Sequence, residues 1–157
     1  MDDEYFMRAA LREAKRAEEL EEVPVGCVIV FEGKIIGKGF NQTESLQDPT
    51  AHAEMIAITA AAGHLESRRL ETCTVYATLE PCVMCCGALV LARVARLVFG
   101  AYDPKAGAAE TLYSIPSDKR LNHTIEITGG FLAEECGSIL AEFFSRLRGD
   151  RNGGKEY

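Results

Sequence analysis

Residues 74–100 read TVYATLEPCVMCCGALVLARVARLVFG, and this stretch decides the fold. Thr74–Thr78 is a short run rich in β-branched and aromatic residues, which predicts a strand. Pro81 opens a helix, Cys82 to about Ala92, because proline suits a first turn. Arg96–Gly100 is a second short apolar run and reads as a buried strand. Strand, helix and strand in this order imply parallel pairing through a right-handed crossover.

Working outward, Val25–Phe31 and Lys34–Phe40 form a hairpin around Glu32-Gly33. A helix over Asp2–Glu22 precedes it, with Phe6, Ala10, Ala14 and Ala17 at three- and four-residue steps. Asp48-Pro49-Thr50 resembles a helix start, and that helix runs to about Gly63. Asp103 to Asn122 reads as a long loop with a helical piece, Ile125–Thr128 as a strand and Ala133–Leu147 as a final helix. A hairpin joined to parallel crossovers predicts an α/β fold: three layers, α/β/α, around a mixed sheet of about five strands. Sites in such sheets lie beyond the carboxyl ends of the strands. Residues 1–148 form one domain in this reading, and 149–157 are expected to be a frayed tail.

The composition is globular, with 47% hydrophobic and 26% charged residues in 157. The longest uncharged apolar run, Cys82 to Ala92, is far short of the roughly 18–20 residues that span a bilayer. The N-terminus lacks the layout of a secretory signal, so a soluble cytoplasmic protein is expected, with no membrane partner. Six cysteines are too few for a disulfide scaffold of this length, and a reducing compartment leaves them for metal or chemistry. The net charge of −7 argues mildly against nucleic acid. Yet residues 91–157 carry nine acids and nine bases, so the acid excess lies wholly in residues 1–90.

The chemistry-bearing pattern is His52-Ala53-Glu54 followed by Pro81-Cys82-Val83-Met84-Cys85. Cys82 and Cys85 share a helix face in the first turn, where backbone N–H groups and the dipole favour thiolate. Two crossovers bring His52 and both thiolates to one edge of the sheet. Three protein ligands leave a tetrahedral zinc one open position for water, which is a catalytic count. Bound zinc lowers the pKa of water to about 7, and Glu54 is placed to move its proton. The competing reading is a structural zinc completed by Cys86, but Cys86 is about 100° round from Cys85 and reads as core. Cys27, Cys73 and Cys136 read as small buried hydrophobes or solvent thiols, and His64 as a surface residue.

His-x-Glu, then about thirty residues, then Pro-Cys-x-x-Cys is the zinc deaminase signature. With VPVGCVIV (23–30), DPTAHAEMIAI (48–58), TLEPCVMCCGAL (78–89), ARLVFGAYDPKAGAA (95–109) and LNHTIEITGGFLAEECGSILAEFF (121–144), the chain resembles the bacterial tRNA-specific adenosine deaminases. The resemblance implies a cytidine deaminase-like fold with one zinc per chain, held by His52, Cys82 and Cys85. It implies hydroxide attack on C6 of adenosine at the wobble position of a tRNA anticodon, yielding inosine, with Glu54 as the proton shuttle. It further implies that Asn41 and Ala53 contact the flipped base, that Asp103, Lys105, Asn122 and His123 lie near flanking nucleotides, and that Phe144 or Phe143 packs by the anticodon loop. A homodimer is also implied.

From the residues alone, Asn41 reads equally as a turn amide, Asp103 as a turn cap before Pro104, and His123 as a loop histidine without a role. Phe143 and Phe144 cannot both face the core of one helix, so one is expected to be exposed. Two other functions are open: a free nucleobase deaminase such as guanine deaminase, and a non-catalytic zinc-binding partner subunit.

Overall fold

A computed structural model describes residues 2–152, with the side chains of 150–152 excepted. Five strands form one sheet in the order β2-β1-β3-β4-β5. β1 (Gly26–Phe31) and β2 (Lys34–Phe40) form the expected antiparallel hairpin. Its two turn residues, Glu32 and Gly33, both take positive φ, the conformation that matches the twist of a tight hairpin. β1 also pairs antiparallel with β3 (Thr74–Leu79), whereas β4 (Arg96–Ala101) and β5 (Glu126–Thr128) continue from β3 in parallel. The sheet is therefore mixed, as the hairpin and the crossovers require.

Helices cover both faces. On one, α1 (Asp3–Glu19) and α4 (Ala133–Asn152) pack Phe6, Met7, Ala10, Cys136 and Ile139 against Val28, Val30, Tyr76 and Val98. On the other, α2 (Ala53–Leu65) and α3 (Val83–Ala92) bury Ala53, Ala57, Cys86 and Leu89 against Ile29, Val75, Leu97 and Phe99. The alternation of side chains along the central strands thus feeds two cores rather than one.

α2 lies unusually close to the edge strand because β2 carries glycine where the helix crosses it. A Cβ on Gly39 would stand 2.2 Å from the Ala53 carbonyl oxygen, and one on Gly37 would stand 2.5 Å from that of Ala57. Only the missing side chains allow this approach.

Several boundaries differ from the sequence reading, among them the end of α1, which stops at Glu19 and not Glu22. α2 starts at Ala53 and not near Asp48, because the Asp48 carboxylate accepts from the Thr50 N–H and hydroxyl and closes a separate turn. The helical piece of the long loop is one 3₁₀ turn at Ile115–Ser117. α4 runs on through Asn152, past the expected end at Leu147, since a single glycine at 149 costs a helix only about 1 kcal/mol. The rest of the expected tail, 153–157, lies outside the described residues. Among the described residues, no helix is long and apolar enough to cross a membrane.

Candidate metal and substrate site

β2 and β3 point the same way, so the chain leaves both at one edge of the sheet and both following helices start there. The first helix begins at its N-cap, His52, and the second at its N-cap, Cys82. Both residues have extended backbone, and neither side chain caps its helix. The positions that normally spend a side chain on orphan N–H groups instead present a ring nitrogen and a sulfur to the space between the helices. The sequence reading placed both residues inside the first turn; they lie one step before it.

His52 Nδ1 stands 3.6 Å from Cys82 Sγ and 3.6 Å from Cys85 Sγ. All three donor atoms lie within 4.8 Å of one another. Tetrahedral zinc with ordinary Zn–N and Zn–S bonds places its nitrogen and sulfur ligands about 3.6 Å apart, so the donor set fits that ion. His52, Cys82 and Cys85 form a candidate zinc site. The Cys82 thiol is lowered to about 3 by its hydrogen bond with Cys85 and by His52, while Cys85 is pushed far up by that same hydrogen bond and by burial. The His52 ring is raised by the Cys82 thiolate beside it.

Glu54, in the first turn of α2, is 4% exposed. Burial pushes its carboxyl up to about 7, against the pull of its own backbone N–H and the His52 ring. A carboxyl held beside the donor set at the cavity wall is placed to relay a proton. Cys86 turns away from the cluster, its thiol donating to the Pro81 carbonyl at 3.5 Å. Cys27, Cys73, Cys86 and Cys136 are all buried, in agreement with their reading as core, and His64 is exposed.

A cavity of about 220 Å³ opens over this cluster. His52, Ala53, Glu54 and Cys82 line it from the helix starts. Val23, Val25 and Asn41 line it from the hairpin side, and Leu79, Asp103 and Ala106 from the β3–β4 side. Its size is below the roughly 300–1,000 Å³ of drug-sized sites and suits one flat ring.

Asn41 and Asp103 keep both of their readings. Asn41 donates from Nδ2 to the Val23 carbonyl at 3.3 Å and accepts from the Thr43 N–H at 3.4 Å. Each is a long bond, and an amide has capacity for further partners. Asp103 Oδ1 accepts from the Lys105 and Ala106 N–H groups, which is turn capping at the cavity rim.

The other expected residues are not on the cavity wall. Lys105 is exposed on the rim loop. Asn122 and His123 stand at the far end of α3: the Asn122 carbonyl accepts from Arg93, and a His123 ring nitrogen is 2.6 Å from the Val94 carbonyl. Phe143 is 8% exposed and Phe144 40%, one in and one out. Several cations of the second half are engaged: Arg96 with Asp3, Arg120 with Asp118 and Arg146 with Glu18.

Two residues escaped the sequence reading. Glu80 and Glu22 are buried carboxylates that hold the loops on either side of the cavity. The available signal was an acid between Leu79 and Pro81 at the end of an apolar strand, where a charge needs dedicated donors.

The family model for the cytidine and deoxycytidylate deaminase zinc-binding region matches residues 1–101. The chain belongs to that deaminase family. A tRNA-specific adenosine deaminase of Bacillus subtilis is 50% identical over 93% of this deaminase chain and 91% of its own. A structure solved in work on A-to-I editing by tRNA:A34 deaminases at the wobble position matches with TM-score 0.83. It is 42% identical and covers 87% of this chain and 99% of its own. A guanine deaminase from Nitrosomonas europaea, at 22% identity and TM-score 0.77, covers 88% of this chain and 82% of its own, and shares the fold.

Proposed function

We propose that this chain hydrolyses adenosine to inosine at the wobble position of a tRNA anticodon, releasing ammonia. The observation that carries the reading is Glu54 buried beside the His52–Cys82–Cys85 donor set, under a cavity that suits one base. The extent of identity with tRNA-specific adenosine deaminases supports the substrate.

Zinc in this site supplies a water acidified toward neutral pH. The chain's own residues do the rest. Glu54 accepts one proton from the attacking water and passes it to the purine ring nitrogen as the C6–O bond forms. It then carries the second water proton, from the new C6 hydroxyl, to the amine, so that the C6–N6 bond breaks, ammonia leaves and the C6 carbonyl of inosine remains. Such positioned proton transfer contributes on the order of 10²–10⁴-fold. Asn41 and the start of α2 at Ala53 orient the base. The base must leave its stack to reach C6, which costs least in a single-stranded loop. Asp103 and Lys105 on the rim, and Phe144 on α4, meet the flanking anticodon loop. For Asn122 and His123, at the far end of α3, the same role requires RNA that reaches beyond the face covered by a second copy.

The reading extends to a cytoplasmic homodimer. α3 contains no charged residue, and its outer face exposes Val83 and, at 78%, Leu91. A second copy of the chain would cover that face. Leu91→Glu should convert a dimer to a monomer in sedimentation equilibrium; a wild-type monomer would refute this extension alone.

The experiment incubates zinc-loaded protein with an anticodon stem-loop carrying a wobble adenosine and reads inosine by nuclease digestion. Glu54→Ala should keep one zinc per chain and lose turnover. A zinc-loaded wild type that leaves the stem-loop unchanged overturns the reading. Ammonia from guanine, with the RNA untouched, would replace it with nucleobase deamination.

A further inference from the structure

We propose that Glu80 is a positioning residue: its buried carboxylate clasps the loop 103–111 onto the chain segment that carries Cys82, and so sets the wall against which the substrate base lies. The proposal deepens the deaminase reading and rests on it.

Glu80 is 2% exposed, and among the described ion pairs none involves it. Its charge is met by one loop instead. Oε1 accepts from the Asp103 N–H at 3.0 Å and from the Thr111 hydroxyl. Oε2 accepts from the Glu110 N–H at 2.8 Å and the Thr111 N–H at 2.9 Å. A carboxylate offers about four acceptor positions, and these four donors occupy them. Glu80 is therefore neither a spare metal ligand nor a proton shuttle, although it borders the cavity.

The clasp is tight and reinforced. A Cβ on Gly107 would stand 2.3 Å from Glu80 Oε1, so the loop backbone lies directly on the carboxylate. Ala108 N–H donates to the Pro81 carbonyl at 2.9 Å, and Glu80 N–H to the Ala101 carbonyl at 2.8 Å. The loop is thus bonded to residues 80 and 81, immediately before Cys82. Asp103 and Ala106, on that same loop, line the cavity. One carboxylate consequently fixes the distance between the metal-ligand segment and the cavity wall.

A carboxamide has the same shape but turns one oxygen into a donor that faces N–H groups. Glu80→Gln should release the loop. With the zinc-loaded protein and the wobble-adenosine stem-loop, KM is expected to rise about ten- to a hundredfold, with kcat changed less than about threefold. Zinc should remain at one per chain. In the inactive Glu54→Ala background, stem-loop Kd by fluorescence anisotropy should rise with KM. Amide exchange at 103–111 should accelerate. Thr111→Val, which removes one donor and lies away from the metal, should shift every reading in the same direction by less.

Unchanged KM alongside faster loop exchange overturns the proposal. So does loss of zinc with a proportional fall in kcat, which would mean that Glu80 acts through the metal. If Glu80→Gln does not fold, Thr111→Val decides: unchanged exchange and unchanged KM overturn the clasp. If the wild type makes no inosine, the deaminase reading has failed, and loop exchange in Thr111→Val still tests the clasp by itself.

Discussion

The carboxylate of Asp3 grips the Arg96 guanidinium with both oxygens, Oδ1 to Nη1 at 2.8 Å and Oδ2 to Nη2 at 2.9 Å. The Tyr76 hydroxyl donates to the same Oδ1 at 2.6 Å, and Arg96 reaches on to Thr128. The cluster joins α1, β3, β4 and β5 on the face of the sheet that α1 and α4 cover. Arg96 holds the Asp3 carboxyl below its ordinary value of 3.8. A group depressed on folding stabilises the fold fully above its unfolded pKa and loses that contribution as pH falls through the folded pKa. Asp3→Asn should cost about 1.5–3 kcal/mol at pH 7. The gap from wild type should shrink once the pH drops below about 4. Urea titrations at pH 7 and pH 3 measure both; an equal gap at the two pH values would refute the assignment.

The cysteines separate metal from packing. Cys82→Ala and Cys85→Ala should each lose zinc and lower the Tm, since ligand binding adds to folding free energy. Cys86→Ala should keep its zinc and cost about 1 kcal/mol for the lost buried sulfur. Metal content by atomic emission and thermal melts with and without chelator distinguish the two classes.

Two glycines near α2 should respond in opposite ways. Gly39→Ala places a methyl group against the Ala53 carbonyl and should destabilise by about 1–3 kcal/mol. It should also lower kcat/KM, because Ala53 neighbours both His52 and Glu54. Gly63, within the same helix, has nothing within 4 Å of its missing Cβ. Gly63→Ala should be neutral or stabilising by up to about 1 kcal/mol. Denaturant midpoints and steady-state kinetics check both.

Lys105 is the cation of the cavity rim. If it meets a phosphate, Lys105→Ala should weaken stem-loop binding and reduce the slope of log K against log[salt] by about 0.7. Weakened affinity with an unchanged slope would assign Lys105 a contact other than a phosphate.

The strand–helix–strand unit of residues 74–101 was legible because its period, length and punctuation agree. The donor set was legible because residue type and spacing together define it. The start of α2 was not, since Asp48-Pro49-Thr50 has the chemistry of a cap and uses it on a local turn, while His52 fills the N-cap position without capping. Asn122 and His123 follow a long irregular segment, and no periodicity says where such a segment is carried. Glu80 was missed for a different reason. An acid inside an apolar run is informative only once its donors are known, and those lie 23–31 residues away.

The glycines of β2 also bound how this site can change. Because α2 lies in backbone contact with the edge strand, there is no side chain at Gly37 or Gly39 to trim and no gap to fill. The seam between α2 and β2, behind the cavity, has no room to give. A variant selected for a larger or differently shaped base is expected to gain its room from the side chains that line the cavity, Val23, Val25 and Thr43 on the hairpin side and Asp103 and Ala106 on the loop 103–111. Directed evolution toward new substrates is accordingly expected to accumulate its useful changes there and to leave the helix–strand seam untouched.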